Sequence, residues 1–389
     1  FSSIGNGQPR LATVETSMTH VWPSHLGGVP GGASQHCGPT DLSAGPAWYL
    51  KGCPDGNLFH TPIVSESGHY FVGSGSCVRR VNLAGRVDRI NLLPVSILDS
   101  AAPAIDADAI FFVSPSGEAV SLSLQNLEVL WVKKFCTACS PDAWSLLALD
   151  GIVIVAGMVE DGAPLNDHIF ALSAADGQIK WKHKMQMSAV ALTPSIVGER
   201  LVFMDLSGSV TCLELQSGKE LWKSLGEFGS QSTGGCCAGV SRDVIYVASN
   251  LRAKKAWNKP FGGKGVVRAL ELRDGKLKWE QKFEREANTV PAFLHRGPAG
   301  KPAIVLGLGA NPGSVEGANP PHGKPSGDAW SGEVVALDLG TGAKVWSFEP
   351  PLWTGHACSG ASKQVPLKPN AWSNACVGKD GTIYISWNC

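Results

Sequence analysis

The chain has 389 residues, 43% hydrophobic and only 17% charged, and its 33 basic side chains balance 33 acidic ones. That balance excludes a general attraction to nucleic acid or acidic lipid, and the apolar content excludes a disordered chain. No apolar run reaches the roughly 20 residues that cross a bilayer as a helix; the longest, around Ile152–Met158 and Ala303–Leu308, are of strand length.

The N-terminal segment, 1–60, holds RLATVETSMTHVW, ending at Trp22, and a second tryptophan-bearing stretch around Trp48. It opens with Phe1 rather than Met, as expected of an exported or organelle-lumenal protein after removal of a targeting peptide. From residue 61 a repeat takes over. LSAADGQIKW (172–181), LELQSGKELW (213–222), LELRDGKLKW (270–279) and LDLGTGAKVW (337–346) each read as strand, tight turn with Gly, and strand closing in Trp. LSLQNLEVLW is a degenerate copy ending at Trp131, and VNLAGRVDRI ends at Ile90 where Trp would stand. A further hairpin precedes each copy, as in TPSIVGERLVFMDLSGSV (193–210).

Four short strands per unit, repeated along the chain, predict the radial blades of an all-β propeller. The units run from Thr61, Ala102, Trp144, Leu192, Gly235 and Thr289. A terminal hairpin, SNACVG with TIYISWNC, lacks its outer strands. Residues 1–60 are expected to supply them, closing the ring and removing its edges, so that 61–389 and the N-terminal segment form one domain. Seven blades result by count, or eight if residues 1–60 hold further strands. Trp131, Trp181, Trp222, Trp279 and Trp346 are scaffold residues. Such a ring buries roughly 150–250 Å² between blades and offers its N–H to a nearby carbonyl. Gly177, Gly218, Gly275 and Gly342 fit hairpin positions needing φ > 0.

Eleven cysteines are many for this length, and eight fall in pairs: Cys37 with Cys53, Cys136 with Cys139, Cys236 with Cys237, and Cys358 with Cys376. Cys136-x-x-Cys139 has no second pair at zinc-finger spacing, so disulfides in an oxidising compartment are expected instead.

The repeat resembles that of the quinoprotein β-propellers, built on the fold of the pyrroloquinoline-quinone (PQQ) dependent alcohol dehydrogenases. The resemblance covers about 61–389. It implies the fold but not the task, because the same repeat serves quinone-dependent oxidoreductases and cofactor-free, protein-binding propellers such as that of the bacterial outer-membrane assembly machine. GGCCAGVSRDVIYV (234–247) resembles the dehydrogenase segment in which adjacent cysteines pack on the quinone. That resemblance implies that Cys236 and Cys237 bind the cofactor if a quinone is bound. The family's calcium ligands and catalytic base have no match, although Asp205, Asn250 and Asn288 are polar residues in the same region. No catalytic residue, metal ligand or cofactor is therefore expected; PQQ and Ca2+ belong to the alternative reading, an alcohol or sugar dehydrogenase.

The insertions point to binding. Three connections between second and third strands are enlarged (Gly157–Asp167, Leu251–Gly265, Ala310–Ser331), as are two between blades (Trp22–His60, Phe348–Trp372). In up-and-down blades all five emerge on one face. LRAKKAWNKPFGGKG (251–265) interleaves Arg252, Lys254, Lys255 and Lys259 with Trp257 and Phe261, and Trp353 lies in another of these loops. These seven are the candidate partner-binding residues. VEDGAPLNDH gathers Glu160, Asp161, Asp167 and His168 without a ligand pattern. The expected function is a non-catalytic scaffold or accessory subunit binding a protein within a larger complex. No nucleic-acid partner is expected, and peripheral membrane association stays open. An extracellular ligand-binding or lectin-like receptor is a third reading.

Overall fold

A computed structural model of the chain describes residues 62–388, apart from 66, 68, 142–143, 161, 164, 190–191, 227–235, 239–242, 252–263, 295–296, 298–299, 310–331, 352–370, 373 and 379. The described residues form strands and no α-helix. Six four-stranded antiparallel sheets follow one another along the chain, at 63–92, 104–134, 147–189, 195–224, 236–283 and 292–348, each with its strands in sequence order. This is the unit that the repeat predicts. Some middle strands are apolar throughout, as in Ile152–Gly157 and Ala303–Leu308, because both faces are covered by neighbouring sheets.

The sheets touch through a succession of cores. One cluster joins the first sheet to the second around Ile63, Ile110 and Leu127. A larger one runs from the second through the fourth around Phe111, Phe170 and Phe203. Others link fourth to fifth, fifth to sixth, and the sixth to a terminal hairpin at Cys376–Val377 and Ile383–Tyr384. First strands of consecutive sheets approach one another, as 104–106 does 147–149 and 195–197 does 236–238, so these are inner strands and the fourth strands lie outermost.

Four of the repeat tryptophans dock on the following sheet. The indole N–H groups of Trp131, Trp181, Trp222 and Trp279 donate to the carbonyls of Ala174, Leu215, Leu272 and Leu339 at 2.8–2.9 Å. Opposite each in its own sheet stands a small residue (Ser121, Ala171, Cys212, Ala269), followed by a one-residue bulge that turns the ring inward. The ring covers the turn glycine of the next sheet. A Cβ on Gly177 would stand 2.8 Å from Trp131 Cε3, and one on Gly218 2.5 Å from Trp181 Cδ2. These glycines therefore meet two demands, a φ near +70° and absence of a side chain.

The first seam shows the rule by its exception. Its register pairs Arg80 with Arg89 before the bulge, so Arg89 and not Ile90 occupies the tryptophan position; the turn is one residue shorter than in the other sheets. Ile90 is 60% exposed. With no indole arriving, the next turn carries Leu127 at φ +62° in the glycine position, fully buried in the seam. Arg80 takes over the hydrogen bond, its Nη1 donating to the Leu124 carbonyl at 3.1 Å, three residues before Leu127 as Ala174 is before Gly177.

The disulfides expected from cysteine clustering are not formed among the described residues, where Cys77, Cys136, Cys139, Cys212 and Cys376 are free. The Cys136 and Cys139 sulfurs are 3.8 Å apart, contact distance rather than a bond of about 2.05 Å. Cys37, Cys53 and Cys358 lie outside the described residues, as do Trp22 and Trp48.

Candidate partner-binding face

Connections between second and third strands leave the same face as those between sheets. Three of the former are long: 158–165, 252–263 and 309–332; the connection 349–370 after the sixth sheet emerges there too. The topology thus puts four of the five predicted insertions on one face; the fifth, at 22–60, is outside the described residues.

Polar side chains tie down the base of each loop. At the first, the buried Asp167 carboxylate accepts the Val159 N–H at 2.9 Å and the Glu160 N–H at 3.2 Å, with His168 Nδ1 3.0 Å away. Burial acts to raise Asp167, but the His168 ring and the two backbone N–H groups outweigh it and hold the carboxyl below its ordinary value. Glu160 pairs with Lys184.

The second and third loops share one anchor. It is the connection between the fifth and sixth sheets, around 284–290. Asn250, one residue before the end of the strand that leads into 252–263, donates from Nδ2 to Asn288 Oδ1 at 2.6 Å and accepts the Ala287 N–H at 2.7 Å. Asn288 in turn donates to the Gly309 carbonyl, where the 309–332 connection begins, at 3.0 Å, and to Glu286 at 2.9 Å. On the far side of that loop Glu333 pairs with Arg285 and Lys344, and Arg285 reaches Glu349 at 2.9 Å, where the 349–370 connection starts. Burial works to raise Glu333, yet hydrogen bonds from Lys344 and Ser347 and the Arg285 charge hold it below the usual carboxylate range. Arg285 and Asn288 thus fasten three long loops to one another. A rigid base under irregular loops is what a recognition surface requires.

The sequence profile of a family described as outer membrane protein assembly factor BamB, of the PQQ-like repeat, matches residues 73–224 and 207–296, more than half of the chain. The chain belongs to this family. Among solved structures this PQQ-like-repeat propeller is similar to BamB from Moraxella catarrhalis, at 16% identity and TM-score 0.51, over 83% of this chain and 82% of that one. It is also similar to quinohemoprotein alcohol dehydrogenase from Comamonas testosteroni, at 12% identity and TM-score 0.56, over 94% and 69%. A europium-containing methanol dehydrogenase aligns at 13% identity and TM-score 0.45; the chain covers 72% of itself but only 56% of that enzyme. The likenesses to BamB and to the Comamonas enzyme show the β-propeller fold and leave the task open. No curated protein matches the chain in sequence.

The family membership gives the candidate residues a frame. Cys236 and Cys237 fall on the inner strand Cys236–Ala238 of the fifth sheet, paired with Val247 and Tyr246. Their side chains are outside the described residues, as are Arg252, Lys254, Lys255, Trp257, Lys259, Phe261 and Trp353. Asp205 serves a turn, accepting N–H groups of Ser207 and Met187. Among the described residues no cluster of three or more His, Cys, Asp or Glu could hold a metal. Sequence reasoning missed Arg285 and Glu333, because nothing in their local sequence distinguishes them from other surface charges.

Proposed function

We propose that the chain is a non-catalytic β-propeller scaffold or accessory subunit in an exported compartment, holding a protein partner on the face that carries its long loops. The observation behind this reading is the Asn250–Asn288–Gly309 chain of hydrogen bonds, which ties the strand leading into the basic, aromatic segment 252–263 and the start of the Pro- and Gly-rich connection 309–332 to a common base. The family description, an assembly factor of the outer membrane, supports a role inside a larger complex. Replacing 252–263 by a two-residue Asn-Gly turn tests it. The shortened protein should keep its melting temperature and lose its co-purifying partner from the native source. Retention of the same partner at the same stoichiometry would contradict it.

The dehydrogenase reading has one observation in its favour, the placement of Cys236 and Cys237 on an inner strand. Titration with pyrroloquinoline quinone and calcium separates the two. Stoichiometric binding, lost in Cys236→Ala, would make the chain an enzyme.

The propeller is proposed to close by a seventh blade. Gly85 occupies the glycine position of the first sheet, two residues before Val87, at φ +74°. In the four other seams with that glycine a tryptophan ring arrives from the preceding sheet, and Trp22 is proposed to fill this role in the first.

A further inference from the structure

We propose that Cys136 and Cys139 form a reversible dithiol–disulfide site beneath the loop-bearing face, independent of partner binding. Both lie in the connection from the second to the third sheet, and the scaffold role uses neither. Both are buried, and their sulfurs face each other at 3.8 Å.

The surrounding backbone holds this segment firmly. Phe135 N–H donates to the Gly117 carbonyl at 3.0 Å and Cys139 N–H to the Pro115 carbonyl at 2.9 Å, both in the second sheet. Thr137 N–H donates to Met158 and Met158 N–H to Ala138, at 2.9 and 2.8 Å, in the third. Two glycines make room for the Cys136 sulfur. A Cβ on Gly117 would stand 2.8 Å from it, and one on Gly157 would overlap it outright. An alanine at either position would expel the thiol, so two separate sheets are shaped around this one sulfur.

Closing the pair shortens the separation by about 1.8 Å, a distance that side-chain rotation within a Cys-x-x-Cys turn covers. The neighbouring Cys136 sulfur and burial push the Cys139 thiol up; Cys136, the more exposed of the two at 8% against 4%, makes the first attack. Its sulfur displaces one thiol from a low-molecular-weight disulfide such as glutathione disulfide, its proton passing to the departing sulfur. Cys139 then attacks the mixed disulfide, loses its proton and releases the second thiol. Two cysteine thiols are oxidised and one disulfide is reduced to two thiols. The closed loop is so short that global stability changes little. The effect is local, on the Ala138–Met158 bridge from which the 158–165 connection springs.

The test is peptide mapping of the full-length chain equilibrated in glutathione buffers of graded ratio, approached both from the reduced folded protein and by refolding, then trapped by alkylation. The expected result is loss of alkylation at Cys136 and Cys139 together, on a linked pair two hydrogens lighter, restored in reducing buffer. In Cys139→Ser, Cys136 should hold glutathione, since the resolving thiol is gone. Alkylation of both cysteines at every ratio would overturn the proposal. So would glutathione held on one of them in the wild type, or pairing of either with another cysteine.

Discussion

Trp181 of the third sheet donates its indole N–H to the Leu215 carbonyl of the fourth at 2.9 Å while its ring lies over Gly218, three residues further on. One side chain thus fixes both the separation and the angle of two sheets, and the contact recurs at Trp131, Trp222 and Trp279.

Gly218→Ala should therefore be far more damaging than an ordinary turn substitution. It adds a left-handed conformation for alanine to an overlap with the Trp181 ring, together about 2–4 kcal/mol. Gly198, at φ +57° with nothing within 4 Å of its Cβ position, is the control: Gly198→Ala should lose only about 1 kcal/mol. Denaturant unfolding of both variants measures the difference, and equal losses would refute the docking argument.

At the first seam the Arg80 guanidinium holds the Asp88 carboxyl below its ordinary value, against burial, through a hydrogen bond of 2.9 Å. A depressed carboxylate contributes stability above its unfolded pKa, near 3.9, and loses it as pH falls through the folded value. The stability gap between wild type and Asp88→Asn should be fully present above about pH 4 and shrink in more acidic solution. Unfolding across that range tests the sign; a gap that widens with acid would contradict the pairing.

Asn250 and Asn288 act as a unit, so their truncations should not add. Each change to Ala is expected to lose about 1–2 kcal/mol, and the double variant less than the sum by about 0.5 kcal/mol or more. Amide exchange should speed at Ala287, whose N–H loses its acceptor in Asn250→Ala. Strict additivity would mean that the two loop bases are independent.

If Trp22 closes the ring on Gly85, Gly85→Ala and Trp22→Ala should each destabilise the protein, and the pair should be strongly non-additive. Independent effects would place the N-terminal segment elsewhere.

The strand phrases were legible because each is local: apolar alternation, a glycine turn and a tryptophan within ten residues. The partner of each tryptophan was not, since the bond spans 34 to 60 residues and joins different sheets. The same limit produced the misplacement at Ile90, where a turn shorter by one residue moves the register to Arg89. Asn250 and Asn288 stood out as polar residues, but their joint role needed Gly309 as well, three stretches of chain brought together only by folding. Arg285 carried no signal of its own for the same reason.

The most direct measurement is site-specific photo-crosslinking in the native source. A photoreactive residue is placed at Trp257, in the connection 252–263, or at Gln125, exposed in a turn on the face opposite the long connections. The account predicts one dominant protein adduct from position 257 and none of that mass from 125. The same adduct from both positions, or from 125 alone, would contradict a scaffold that binds its partner through the long loops.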